Sequence, residues 1–498
     1  MSEENKSRSR ESVMSFSKAQ FARIIFNDLK KSSKGRTFLK SYKQSEVREI
    51  IEGYKVDANQ KKLREISQLL WAKSPQYQRL LEYFSGMGLF AHVLTPIKDI
   101  RKLNKAKVLK QYVELGELLK LMSLRHEMSK VLSIAFREDI YYGYVHRDKK
   151  SFQIQQIDSD ICKATVIEDG VLNYCIDMSA FQKDSDKLKT MPAEVIAKFS
   201  VWMSEKAKNS NIEPWVELDS KNTICIKINE EIPEVFPPFA GSFDSIFDIE
   251  GFKQLRKDKE ELGNYMMLYQ KLPIRENSQD NNDFLIDMDT MSYFHEMAVD
   301  TVPDNVGVVT SPMNIEPIKF EKDKADNDGV AKAERDFWSG NGTSQLLFNA
   351  DSSTSQGLLL SVKTDEEIVL SVMTQIERWL NRYLRYQFKS DLMFNVTILP
   401  VTRFNQDTMY KMYLENAQYG VPVKSHLSAT VGLDPIEVMN MAYLENDLLE
   451  MHEEFIPLQS THTMSDEANP QAKKDGAPKK DASEVSDETA RAQDKPNA

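Results

Sequence analysis

The sequence predicts an α+β fold, mostly helical, with small β-sheets set among the helices. Three observations carry this reading. Apolar residues recur at helical spacing over long stretches, as in Leu63, Ile66, Leu69 and Leu70. A block at about 130–183 changes to short runs of aromatic and β-branched residues, broken by the hairpin turn signal Asp169-Gly170. Between Pro238 and Pro273 lies a stretch of helix-forming composition with no continuous apolar stripe.

Residues 1–14 are polar and expected to be disordered. From 15 to about 128 the pattern is mostly helical. Leu80, Leu81 and Phe84 continue the apolar face, and Ser74-Pro75 suits the start of a new helix. Tyr141, Tyr142, Tyr144, Phe152, Ile154 and Ile157 lead the strand-rich block. Runs 164–167 and 171–176 flank the Asp169-Gly170 turn, giving a small antiparallel sheet. A mixed segment then ends at Phe236-Pro237-Pro238-Phe239-Ala240-Gly241. Ser242 or Asp244 can cap a long helix over 242–272. Its ends carry apolar residues, but its middle, Arg256-Lys257-Asp258-Lys259-Glu260-Glu261, is charged all round. Such a middle cannot lie deep in one core. It is expected to cross between two masses, paired by charge to neighbouring helices, with a plain solvated face as the alternative.

A polar stretch at 274–290 precedes a helix at about 288–299, strands such as 306–309, and a second helix over about 326–338. The run Asn349, Ala350, Asp351, Ser352, Ser353, Thr354, Ser355, Gln356, Gly357 is small and polar, and reads as a loop. Thr364 and Glu367 form a capping box for a helix over 364–388, about 36 Å long. Ile368, Val372, Ile376, Trp379, Leu380 and Tyr383 share one apolar face of it. A strand at 393–399 and helices at about 405–418 and 435–452 follow. The tail, 461–498, is rich in Ala, Lys, Asp, Glu and Pro and is expected to be disordered.

The 498 residues are 41% apolar and 28% charged, with room for a large core and a soft prior of about three domains. No run reaches the roughly 18 apolar residues of a membrane span, and the N-terminus lacks the apolar core of a secretory signal. Cys162, Cys175 and Cys225 are too few and too scattered for a disulfide framework, so buried free thiols in a cytosolic chain are expected. The net charge of −11 argues against tight DNA binding, since grip on phosphates needs a basic patch. An acidic protein can still surround DNA that must slide.

Catalytic patterns begin and do not finish. His295-Glu296 and His126-Glu127 open a zinc-site pattern, but Val299 and Lys130 stand where the second histidine would be. Gly340 and Gly342 lack the lysine of a phosphate-binding loop. Asp287/Asp289 and Asp158/Asp160 are carboxylate pairs without a further ligand set, and read as solvated or interface acids. Tyr141-Tyr142-Gly143-Tyr144 could stack on bases but reads as the packed face of a sheet. No catalytic residue, metal or cofactor is expected.

Several segments, in order along 45–460, resemble the portal proteins of tailed double-stranded DNA bacteriophages, of the kind found in siphophages of Gram-positive hosts. They are Leu69-Leu70-Trp71 with Ser74-Pro75 and Tyr83-Phe84; Phe136-Arg137-Glu138-Asp139 with Tyr141-Tyr142-Gly143-Tyr144; Asp158 to Cys162 with Tyr174-Cys175-Ile176-Asp177 and Phe181; Gln375-Ile376-Glu377-Arg378-Trp379-Leu380-Asn381; and Ala417-Gln418-Tyr419-Gly420-Val421-Pro422 with Glu453-Glu454-Phe455-Ile456-Pro457-Leu458. The resemblance implies a portal fold that assembles as a ring, usually of twelve subunits, at a capsid vertex. It places a wing at 15–241, a stem helix at 242–272, a clip at 273–324, a second stem helix at 325–344, and a tunnel loop, long wing helix and wing strand at 345–400. A crown follows at 401–460. The clip is shorter and more polar than the family pattern.

By this resemblance Arg256, Lys257, Asp258, Lys259, Glu260 and Glu261 form stem ion pairs or line the tunnel. Asn349, Asp351, Ser352, Ser353, Thr354, Ser355 and Gln356 face the DNA. The loop holds no Lys or Arg, as suits a surface over moving DNA. The implied partners are further copies of the chain, double-stranded DNA held transiently, the terminase large subunit, a head-tail adaptor, the major capsid protein and scaffold protein, with no membrane. The implied location is the virion, after assembly in the host cytoplasm. A helical interaction scaffold unrelated to DNA, and a metal-dependent hydrolase using Asp287 or Asp289, remain the competing readings.

Overall fold

The computed structural model describes residues 42–263, 266–271, 273, 285–286, 288–301, 306–311, 328–343, 347 and 355–451. By contacts the chain divides into units 1–436 and 437–498. The fold class expected from the sequence is the one found: helices with small, mostly antiparallel sheets.

In the first unit, helices α1 (Gln44–Glu52), α2 (Asp57–Lys73), α3 (Pro75–Ser85), α4 (Lys105–Met122) and α5 (Leu124–Glu138) build the main core. The Ser74 hydroxyl accepts the Tyr77 N–H at 3.3 Å, with Pro75 in the first turn, so α3 starts where the sequence places it. Strand β1 (His92–Pro96) interrupts the helical region and was not expected from the sequence. The strand-rich block starts later than about 130, because the apolar face Met128, Val131, Leu132, Ala135 and Phe136 keeps helical period to Glu138.

Strand β2 (Ile140–Arg147) pairs antiparallel with β3 (Phe152–Gln156) on one side and β7 (Thr223–Lys227) on the other. It lies between two cores. Tyr141 and Val145 face the helices; Ile140, Tyr142 and Tyr144 face a second core. That core is closed by β4 (Cys162–Glu168), β5 (Val171–Asp177), β6 (Trp215–Glu217) and helix α6 (Ala193–Lys206). Asp169 and Gly170, at φ 54° and 69°, make the β4–β5 turn, and left-handed values at both central residues suit a tight hairpin. A Cβ on Gly143 would lie 2.6–2.9 Å from Tyr141, Ile224 and Ile154, so the central strand needs glycine there.

Helix α7 (Phe243–Gly263) is shorter than the expected 242–272. Gly263-Asn264 is a stop signal, and the following Met- and Tyr-rich run forms β8 (Met266–Lys271), parallel to β9 (Val306–Ser311). Ser242 does not cap α7; its hydroxyl donates to the Phe239 carbonyl at 2.8 Å. Helices α8 (Met288–Thr301) and α9 (Asp328–Gly340) fall close to their expected places.

Helix α10 (Ser355–Phe388) corrects the start predicted at Thr364. Its 34 residues span about 51 Å. Ser355 and Gln356, read as loop, begin this helix. Nothing between Gly357 and Thr364 breaks it, and Leu358, Leu359, Leu360 and Lys363 favour it. Thr364 therefore sits inside, its hydroxyl donating back to the Leu360 carbonyl at 3.2 Å rather than capping. Strand β10 (Phe394–Ile398) pairs antiparallel with β1, beside a small third core of Val93, Leu399, Val401, Tyr413 and Ala429. Helices α11 (Gln406–Gln418) and α12 (Lys424–Thr430) follow, the second unforeseen.

Helix α13 (Pro435–Tyr443) leads into a π-helical turn, Leu444–Leu448, rather than running on to 452. In the second unit Met441, Tyr443, Leu444, Leu448 and Leu449 are exposed. The expected disordered ends, 1–14 and 461–498, and the segment 453–458 lie outside the described residues.

Candidate functional site

Four of the five segment groups singled out in the sequence meet in one interlocked framework, and the long helix α10 is its organiser. Trp379 is buried, and its indole N–H donates to the Thr223 carbonyl at 2.9 Å. Gln375 holds the same strand: its amide donates to the Lys227 carbonyl at 2.9 Å and accepts the Lys227 N–H at 3.4 Å. Asn381 does likewise for β10, accepting the Val396 N–H at 2.9 Å and donating to its carbonyl at 2.8 Å. Glu377 accepts the Ile398 N–H at 2.8 Å. These side chains satisfy strand backbone that would otherwise lack partners. Arg378 donates to the Asp169 carbonyl at 3.3 Å, and Arg385 pairs with the Asp169 carboxylate, so the helix also grips the β4–β5 turn.

The Phe136–Asp139 segment supplies a second knot. Asp139, fully buried at φ 73°, pairs with Lys227 at 2.8 Å and accepts the N–H groups of Asn229 at 3.0 Å and Phe236 at 3.1 Å. Burial pushes its carboxyl up, and Lys227 with the two backbone donors pulls the other way. Glu138 takes Arg137 at 2.6 Å, Gln68 at 3.0 Å and the Ser159 hydroxyl at 3.0 Å. Arg137 lies over the Trp71 ring at 5.8 Å, which joins the first quoted segment to the second.

Helix α7 begins in the core, with Phe243, Ile246 and Ile249 buried, and leaves it after that. Gly251, Phe252 and Lys253 are exposed. Its companion is α9: Phe337 and Trp338 are buried at the core end, Gly329 meets Phe252 farther out, and Lys253 lies 3.9 Å from Glu334. Arg256, Lys257, Asp258, Lys259, Glu260 and Glu261 all sit on the outer part of α7, where successive residues turn through every face, and Lys257 is exposed. Asn349, Asp351, Ser352, Ser353 and Thr354 lie outside the described residues.

The unfinished catalytic patterns have structural partners. Lys130 pairs with Glu127 at 2.6 Å. Asp160 binds Lys61 at 2.7 Å and Arg64 at 2.9 Å, and these cations outweigh burial to hold its carboxyl below the ordinary range. Asp158 accepts the Asp160 N–H at 3.1 Å. Asp289 lies in the first turn of α8; Asp287 lies outside the described residues. Among the described residues no group of three or more His, Cys, Asp or Glu could hold a metal ion. Tyr141, Tyr142 and Tyr144 are all buried sheet residues, and the three cysteines are buried free thiols. No helix among the described residues is long and apolar enough to cross a membrane. One feature had no sequence signal: a cavity beside His92, an isolated histidine outside any motif.

No family model matches the chain, and no curated protein matches it. Among solved structures it is similar to a chain in the neck of an empty GTA particle computed with C6 symmetry, with TM-score 0.41 and 12% identity over 72% of this chain and 94% of that one. It is also similar to a chain of the virion of a native gene transfer agent (GTA) particle, with TM-score 0.40 and 12% identity over 76% and 94%. A third is an HK97 family phage portal protein from Corynebacterium diphtheriae, with TM-score 0.31 and 12% identity over 69% and 95%.

Proposed function

We propose that this chain is a portal-type ring subunit, a conduit for double-stranded DNA at a capsid vertex with no catalytic role of its own. The observation that carries the reading is a pair of helices, α7 and α9, packed into the body at one end, with α7 running outward from it into six consecutive charged residues, 256–261. A lone arm of this kind buries little. Copies standing side by side in a ring would cover the flanks of that pair and leave an inner face wet. The portal-like segments support the same reading, because residues from three of them interlock through Trp71, Arg137, Glu138, Ser159 and Gln68 in a single framework.

In this reading Arg256 to Glu261 pair between stems or line the channel, and the polar run from Asn349 to Thr354 precedes α10 as the segment nearest the DNA. The partners are the terminase large subunit, a head-tail adaptor, the major capsid protein and scaffold protein. The acidic balance of −11 suits a channel that DNA slides through rather than sticks to. Native mass measurement of the purified full chain, with micrographs of the same sample, tests this. Closed rings of hundreds of kilodaltons with a central channel are the expected result. A monomer or dimer at micromolar concentration overturns it in favour of an interaction scaffold.

A further inference from the structure

A cavity of about 780 Å³ opens between the chain leading into β1, the starts of α5 and α11, the C-terminal end of α12 and the turn that follows it to Asp434. Its chemistry is uneven in an informative way. Helix α5 starts at Leu124 behind Ser123, held at φ 46°, with no side-chain cap. Helix α11 starts at Gln406, also with no side-chain cap. Both helix starts line the cavity and present the positive ends of their dipoles. Arg125 and Arg403, both exposed, add two permanent charges to its wall. Against these stand the C-terminal end of α12 and the Asp434 carboxylate; two helix starts and two guanidinium groups outnumber them, and the balance favours an anion.

Set within this cationic wall are two acceptors. His92 is only 6% exposed. Its Nδ1 lies 3.0 Å from the Phe90 carbonyl, which can only accept, so Nδ1 carries the proton and Nε2 presents a lone pair. Nε2 has no hydrogen-bond partner and lies 3.8 Å from Asp434 Oδ1, which also lines the cavity. Burial holds the imidazole in its neutral form, against the pull of the Phe90 carbonyl and Asp434. A buried acceptor without a donor is costly, and an occupant that brings its own hydrogen removes that cost. A fully deprotonated anion such as sulfate cannot do so. Inorganic phosphate at neutral pH can, because hydrogen phosphate keeps a P–OH group, whereas a phosphate monoester, with its second pKa at about 6, has mostly lost its own.

We propose that this cavity binds inorganic phosphate as hydrogen phosphate, its P–OH donating to His92 Nε2 or Asp434 and its remaining oxygens facing Arg125, Arg403 and the two helix starts. The space exceeds one phosphate, and Leu89, Val431 and Leu433 supply an apolar wall. The site lies within one chain and does not depend on ring formation.

Isothermal titration of the full chain at pH 7 with inorganic phosphate, sulfate and adenosine monophosphate tests the assignment. One phosphate should bind per chain, with sulfate weaker by roughly tenfold or more for the lost hydrogen bond. His92→Asn keeps a donor for the Phe90 carbonyl and removes Nε2, so it should abolish the preference for phosphate over sulfate. Arg125→Gln with Arg403→Gln, both on the surface, should weaken both anions. Adenosine monophosphate, mostly without a P–OH at pH 7, should fall with sulfate, and nucleotide binding tighter than phosphate would overturn the assignment. Equal affinity for phosphate and sulfate in the unaltered protein, or no binding at millimolar concentration, overturns the proposal. So does an unchanged preference in a folded His92→Asn protein. The comparison of anions on the unaltered chain decides the matter even if that variant fails to fold.

Discussion

Replacing Lys227 with methionine should expose how the buried Asp139 knot is held. Asp139 is fully buried and keeps three partners: the Lys227 ammonium at 2.8 Å and two backbone N–H groups. Lys227→Met preserves bulk but removes the only formal positive charge among them. Stranding one member of a buried pair costs about 3–5 kcal/mol. An independent bound comes from protonation. If the stranded carboxyl escapes by taking a proton, doing so at pH 7 from an ordinary value near 3.9 costs about 4 kcal/mol. The two figures agree. They also fix a sign: in the variant the folded state binds a proton that the unfolded state releases, so its stability should rise as pH falls. The deficit should shrink by about 1.4 kcal/mol per pH unit between 7.5 and 5.5. Asp139→Asn combined with Lys227→Met removes both charges and should recover most of the loss. Urea unfolding at the two pH values, on both variants and the unaltered protein, measures this. A Lys227→Met cost under about 1 kcal/mol, or one indifferent to pH, would refute the reasoning.

Trp379→Ala should cost about 3–5 kcal/mol, because it empties a fully buried ring site; Trp379→Phe should cost about 1–3 kcal/mol for the lost bond to Thr223. Melting curves that do not rank the two in that order would count against the packing described. Asp365, which accepts the Tyr83 hydroxyl at 2.9 Å, is pushed up by burial to about 6. Its folded value lies above its unfolded one, so ionisation destabilises the fold as pH rises from about 4 through 6. Asp365→Asn should therefore gain about 1–2 kcal/mol at pH 8, after allowing for solvent screening, and little at pH 4; equal melting shifts at both would contradict this. On the portal reading, Ser353→Lys should leave ring mass unchanged and reduce DNA packaged into capsids at low salt, less so at high salt. Normal packaging at both would remove 349–354 from the channel.

The sequence by itself determined the elements whose signals are local. The Ser74-Pro75 start of α3, the Asp169-Gly170 hairpin and the apolar face of α10 through Ile376, Trp379 and Tyr383 each rest on residues within a few positions of one another, where backbone sterics and helical period act directly. Where two local signals competed, the sequence misled: the Thr364 capping box gave way to an uninterrupted helix from Ser355, and the charged helix stopped at Gly263 in favour of a strand pairing with a distant one. Only the tertiary structure decided the roles of Gln375, Glu377 and Asn381. A polar residue on a helix has the same local pattern whether it faces water or completes the hydrogen bonds of a remote strand. The same holds for His92, Arg125, Arg403 and Asp434. They have no spacing in common, and the cavity they share exists because three separate helix and strand starts are folded against one another.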